Sequence, residues 1–245
     1  MDIKVLGHLQ IFNPCPKLMR FFACQMMTLK QITTRVVYLL FPGILFAQNT
    51  SEQPAYEMQY LEQKTDKKIY LQGQGSPFTG LGVERYESGK PKFQIGYANG
   101  IQHGITTIWW ENGKPHTQQT FQKGKQEGKS LFWFESGMKK SESEYKEGLQ
   151  EGWTVFWYKS GRKRSAQFWN KGKKTGPYQE WMDSGELGKE PLKLEGEYND
   201  GKRHNIWKHY GQDGTMEHAY QFENGKLKRV RRWKAGELVM DKVVQ

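Results

Sequence analysis

Glycine recurs along this chain at a fixed interval, and that interval limits the fold more than any other feature. Gly89, Gly113, Gly137, Gly161 and Gly185 stand 24 residues apart, and Gly214 follows after 29. Each comes directly after Ser, Asn or Asp. A second series, Gly80, Gly104, Gly128, Gly152 and Gly176, keeps the same step of 24. Periods of this size belong to arrays in which each unit buries its apolar side only against its neighbours. So many glycines leave few segments long enough for a stable helix. Asn-Gly and Ser-Gly pairs, by contrast, supply the positive φ that tight hairpin turns demand. The expected fold is all-β: an elongated, twisted antiparallel meander of about six 24-residue β-hairpin repeats.

The stretch from Tyr97 to Phe121 serves as a reference unit. Asn99-Gly100 opens a turn expected to close at Gly104, and an apolar strand, Ile105 to Trp110, follows. Asn112-Gly113 makes a second turn before a more polar return strand reaches Phe121. The apolar positions repeat as well. Trp109, Trp133, Trp157 and Trp181 each stand five residues after a second-series glycine. Tyr97, Phe121, Tyr145, Trp169, Tyr198 and Phe222 recur before the other turn. Equivalent positions stack along a meander, so both sets are expected to form ring ladders. Each ring can bury roughly 150–250 Å², and at about 25 cal/mol/Å² a ladder of tryptophans would hold the sheet together. Trp110, Phe134 and Tyr158 fall on the opposite strand face and are the candidate partner-binding rings.

The ends of the array are irregular, as capping units should be. A five-residue insertion falls within Glu186 to Leu194, and Asn205 and Arg229 replace expected glycines. The repeat domain is read as 66–245, with 49–65 a lead strand or a linker. Residues 1–48 read as an export signal: Lys30 and Arg35 precede the apolar run Val36 to Phe46, and Ala47 stands near the exit. The run is shorter than the roughly 20 residues a bilayer span needs, and Pro42-Gly43 interrupts it. Translation is expected to begin at Met26 or Met27, which leaves 1–25 upstream. The expected location is secreted, periplasmic or in the cell envelope.

Cys15 and Cys24 both precede the expected cleavage point, so the mature chain has no disulfide and relies on packing and hydrogen bonds. Five of the 37 basic and one of the 26 acidic residues lie in 1–48, which leaves a formal charge of +7. That surplus favours acidic partners or an anionic envelope surface. Only one stretch is densely basic: Lys228, Arg229, Arg231, Arg232 and Lys234. It reads as a solvated last strand or as an anion site, and its first four members join the candidate contact residues.

Chemistry is sparse. Gly124 to Ser130 looks like a phosphate loop, but three residues separate its glycines where four are needed, and a strand pattern follows. The same Gly-x₃-Gly recurs at 100, 148 and 172, as repeat turns would. His103 and His204 sit in equivalent turns, and His204 and His209 lack a cysteine or carboxylate partner for a metal. Glu142/Glu144 and Glu195/Glu197 alternate on strands rather than converge in a pocket for acid–base work. No catalytic residue, cofactor or metal is expected. Basic residues interleaved with aromatics suit single-stranded nucleic acid, but export and the packing role of the rings argue against that partner.

The units Tyr97-Ala-Asn-Gly-Ile-Gln-His-Gly104, Tyr145-Lys-Glu-Gly-Leu-Gln-Glu-Gly152 and Tyr198-Asn-Asp-Gly-Lys-Arg-His-Asn205 resemble the MORN repeat. They resemble more closely its bacterial variant, found in proteins labelled YwqK-family antitoxins, and Pro77-Phe78-Thr79-Gly80 looks like the opening of such chains. The resemblance covers about residues 66–236. It implies an extended hairpin sheet used as a scaffold, a protein-interaction surface or a membrane-associated module, and it supplies no catalytic residues. The antitoxin label implies a toxin partner, whereas an export signal departs from a cytoplasmic antitoxin. Three functions are therefore expected in competition: a non-catalytic protein-binding scaffold, an antitoxin-like inhibitor, and a cell-wall glycan-binding module.

Overall fold

The computed structural model describes residues 53–184 and 190–244. The export signal expected over 1–48, the repeat glycine Gly185 and the first part of the insertion lie outside the described residues. Ahead of the array come β1 (Ala55–Glu57), a 3₁₀ turn (Met58–Tyr60), β2 (Leu61–Gln63) and β3 (Ile69–Leu71). The first units contain β4 (Gly80–Arg85), β5 (Pro91–Ala98), β6 (Ile101–Gln102), β7 (Gly104–Trp109), β8 (Pro115–Gln122) and β9 (Lys125–Trp133). The middle units contain β10 (Lys139–Lys146), β11 (Leu149–Trp157), β12 (Lys163–Asn170) and β13 (Lys173–Trp181). The last contain β14 (Leu192–Asn199), β15 (Lys202–Tyr210), β16 (Met216–Glu223), β17 (Lys226–Lys234) and β18 (Glu237–Val243).

From β4 to β18 each strand lies antiparallel beside the next in chain order, within one open 16-stranded sheet. The short β6 pairs only with β5, and β1 pairs in parallel outside β4. The fold is thus the expected all-β hairpin meander. From residue 53 on, the lead segment is strand and turn, and the boundary drawn at 65/66 falls inside the β2–β3 hairpin. Met58 and Leu61 from this segment lie against Gly82, so it caps the first unit.

Two kinds of turn alternate. On one rim, Asn99-Gly100, Lys123-Gly124, Glu147-Gly148, Lys171-Gly172, Asp200-Gly201 and Asn224-Gly225 all place both residues at positive φ. That is the primed two-residue turn whose twist matches its flanking strands. On the other rim the turns span five residues. Gly113 N donates to Trp110 O and Trp110 N to Lys114 O, both at 2.8 Å, with the glycine left-handed. The same pair of bonds recurs at Tyr86, Phe134, Tyr158 and Gly211.

The second-series glycines correct the expected unit. Gly104, Gly128, Gly152 and Gly176 do not close turns. The turn ends two residues after it begins, and the strand resumes well ahead of the glycine. Gly128, at φ 71°, sits inside β9 where the register with β8 shifts between Gln119 and Phe121. It is a bulge, and the left-handed backbone is why glycine stands there. Asn205, at φ 56°, takes the same conformation in its place, whereas Arg229 is not left-handed.

The bulge joins one unit to the next. It frees the carbonyl of Gln126 to accept Gly148 N at 2.9 Å from the following unit's turn. Gln102, Gln150, Lys174 and Arg203 accept Gly124, Gly172, Gly201 and Gly225 in the same way. Beside the bulge, the Glu127 and Glu151 carboxylates accept the N–H of Glu147 and Lys171, each at 2.8 Å. Each second-series glycine also lies in register opposite one ring of the other ladder: Gly104 with Phe121, Gly128 with Tyr145, Gly152 with Trp169.

Burial differs from expectation. Trp109, Trp133, Trp157 and Trp181 are all half-buried, and the ring contacts of the described residues do not join them to one another. Lysines lie between them instead: Lys139 Nζ is 5.2 Å from the Trp157 ring and Lys163 Nζ 6.0 Å from Trp181. The buried residues of the central units are small and polar. Thr106, Ser130 and Thr154 form one 24-residue series, and Thr117, Ser141 and Ser165 another. Ser130 is 0% exposed and Thr154 1%. They are roofed by larger neighbours across the strands, with Phe132 and Phe156 alternating with the hydroxyls in register. Glutamines satisfy them: Gln102 Nε2 donates to Thr106 Oγ1 at 2.8 Å and Gln150 Nε2 to Thr154 Oγ1 at 2.6 Å.

In the later units the same position changes character. Tyr178 and Trp207 replace the small hydroxyls, and Trp207 is 0% exposed. Gly196 makes this possible, because a Cβ there would sit 2.3 Å from the indole. Tyr178 stacks on Trp207 at 5.5 Å and Tyr198 meets it edge-on at 4.9 Å.

Candidate interaction surface

Trp110, Phe134 and Tyr158 close the five-residue turns with their backbones and set one ring per unit along that rim. Equivalent strands lie two steps apart, or about 9.6 Å, in a sheet of ordinary spacing. All three rings are half-buried rather than free. The His116 ring lies 4.1 Å from Trp110, whose Nε1 is buried without a partner. Burial, with help from nearby Lys140, holds the His116 pKa below its ordinary value. Lys140 Nζ stands 5.9 Å from the Phe134 ring. Tyr158 Oη donates to Trp181 O at 2.9 Å, as Tyr86 Oη does to Trp109 O at 2.7 Å. Each tyrosine therefore reaches the next unit, and its hydroxyl is committed to the array.

The basic strand is largely spent on its own sheet. Arg229 makes a two-pronged pair with Asp241, and Arg231 Nε lies 3.4 Å from the same carboxylate. Arg232 Nε donates to His218 Nε2 at 3.1 Å, and Lys228 Nζ is 3.8 Å from Glu223. The Arg229 hydrogen bonds, reaching diagonally across the strand pair, hold the Asp241 carboxyl below its usual range. Lys228, Arg229, Arg231 and Arg232 are thus all partnered within the sheet, and β18 lies beyond β17, so the basic strand is not the last one. The seven candidate residues do not converge. Ten strand steps separate β7 from β17, about 48 Å of sheet.

Sequence reasoning missed the aromatic and histidine cluster of the last units. Arg203 stacks 4.2 Å from Trp207, and His209, His218 and Tyr220 follow on the same face. Burial and the Glu195 hydrogen bond push the Tyr210 hydroxyl up to about 12. On the other face, Pro177, Gln179, Glu195, Glu197, Ile206 and Lys208 line a shallow cleft of about 370 Å³. Its polar groups are mutually bonded: Lys208 and Tyr210 both donate to Glu195, and Asn205 to Glu197. Among the described residues no group of three or more His, Cys, Asp or Glu side chains could hold a metal ion. The chain matches no family model and no curated protein.

Proposed function

We propose that this protein is a non-catalytic, exported scaffold that binds another protein, built on a MORN-type repeat. One observation carries the reading. Beyond the first unit the array is a single layer, and no described segment covers either face. Half-exposed rings therefore recur at fixed spacing along a rim and across a face, and rings and arginines dominate protein–protein contact energies. The basic turns add charge that favours an acidic partner.

Affinity capture from envelope extracts tests this, with the Trp110→Ala/Phe134→Ala double variant as control. A partner retained by the wild type and lost by the folded variant supports the scaffold. Retention that is equal in both removes the rim from the contact. Repeating the capture at high salt should weaken any contribution of the basic turns.

The row of Trp109, Trp133, Trp157 and Trp181 favours a second reading, stacking on cell-wall glycan. Lys139 and Lys163 beside two of those rings oppose it, because a sugar would have to displace them. Pull-down on purified peptidoglycan, compared with a Trp133→Ala variant, separates the two.

A further inference from the structure

The last hairpins carry a cluster that the binding reading does not use. His209 of β15 and His218 of β16 are direct cross-strand partners, with ring centroids 6.5 Å apart. His218 stacks on Tyr220 at an interplanar angle of 11°. From β17, Arg232 Nε donates to His218 Nε2 at 3.1 Å. That bond requires a lone pair on the ring nitrogen, so it exists only while Nε2 carries no proton.

The surrounding charges offer a protonated ring little compensation. From β15, Arg203 stacks over Trp207 and adds positive potential at His209. From β13, the Glu180 charge acts on His209, but Lys193 of β14 takes one of its oxygens at 2.7 Å and Tyr178 the other at 3.0 Å. From β18, Met240 stands beside Arg232, and the cation Lys242 lies on the same face opposite Val230. Protonating both histidines would therefore add two charges beside Arg203 and Arg232, while the Glu180 carboxylate is already held by Lys193 and Tyr178.

We propose that this histidine pair is an acid-sensitive latch that holds β16–β18 onto the array at neutral pH and lets them open in acid. Histidine changes charge between about pH 5 and 8. His209 is half-buried, and its pKa is lowered by that burial first, then by His218 and Arg203. A depressed value means that the folded state holds the neutral ring. The associated stability is complete above the ordinary histidine value, about 6.5, and disappears as pH falls through the lower folded value. In a repeat array an end unit can open without unfolding the rest, because each unit leans only on its neighbours.

Hydrogen exchange on the full chain, corrected for the intrinsic effect of pH, provides the test. Between about pH 7.5 and 5, amides of β16–β18 should exchange at least about tenfold faster, while those of β8–β11 keep their protection. His209→Gln gains no charge at the half-buried ring, and it should remove most of the acid effect. The His209→Gln/His218→Gln variant should remove the rest. Comparing acid with neutral exchange within each variant cancels any general loss of stability. Unchanged protection of β16–β18 in acid would overturn the latch. So would acid opening spread over all units, or acid opening that persists in both variants.

Discussion

At the scale of single residues, burial follows size mismatch between neighbours. A threonine or serine in the centre of the sheet is covered because Phe132, Phe156 and the glutamines beside it are longer. Trp207 is covered because Gly196 gives it room. Trp207→Ala should therefore cost about 3–5 kcal/mol, the usual range for emptying a fully buried ring site. Trp157→Ala should cost about half as much, since its ring is half-buried and partnered by Lys139. Urea denaturation of both variants measures the difference, and equal losses would restore the tryptophan spine expected from sequence. That expectation treated the repeated tryptophans as core. A one-layer sheet has no second layer to bury both faces, so hydroxyls at the centre can be drier than indoles near a rim.

At the scale of elements, strand, bulge and turn form one device. The primed turn presents its glycine N–H to a carbonyl that the preceding unit's bulge has freed. Gly128 has open space where a Cβ would go, so only its backbone conformation resists substitution. Gly128→Asn should then be tolerated, as Asn205 is in the equivalent position at φ 56°. Gly128→Val should lose about 1–2 kcal/mol more, the cost of holding an L side chain left-handed. Thermal unfolding of the pair distinguishes a conformational demand from a packing one. Glu151 tests the side-chain half of the clasp. Glu151→Ala should cost about 1 kcal/mol by removing the acceptor of Lys171 N, and Glu151→Gln should recover much of it.

The glycine spacing announced two punctuation marks per unit, and both exist. Their roles were not legible, because a left-handed glycine inside a strand and one in a turn read alike. The candidate site was legible in part. The rings beside the five-residue turns were found from their spacing. Their partners were not, because each such turn shifts the register by one residue and alternation cannot be carried through it. His218 and Arg232 meet only because β16 and β17 are paired in one register.

At the scale of the whole molecule, the array is a sum of near-identical joints. Removing residues 125–148, one complete period, should reconnect equivalent ends and leave a folded, less stable sheet. Removing only 137–148 should abolish cooperative folding, because it pairs unlike strand faces and breaks the clasp to the next unit. Circular dichroism with urea melts of the two deletions measures this. The outer strands also show how such a sheet stays discrete. β1 is three residues long and parallel, and β18 carries Asp241, Lys242 and a register shift, devices that discourage further pairing.

By itself the sequence determined the period, the places of the Asn-Gly and Ser-Gly turns and the order of the strands, because those depend on local φ preferences and on spacing along the chain. Only the tertiary structure decided which side chains are dry, which rings remain half-open and which histidine meets which arginine. Those outcomes depend on neighbours from other strands, and each bulge resets which neighbours they are.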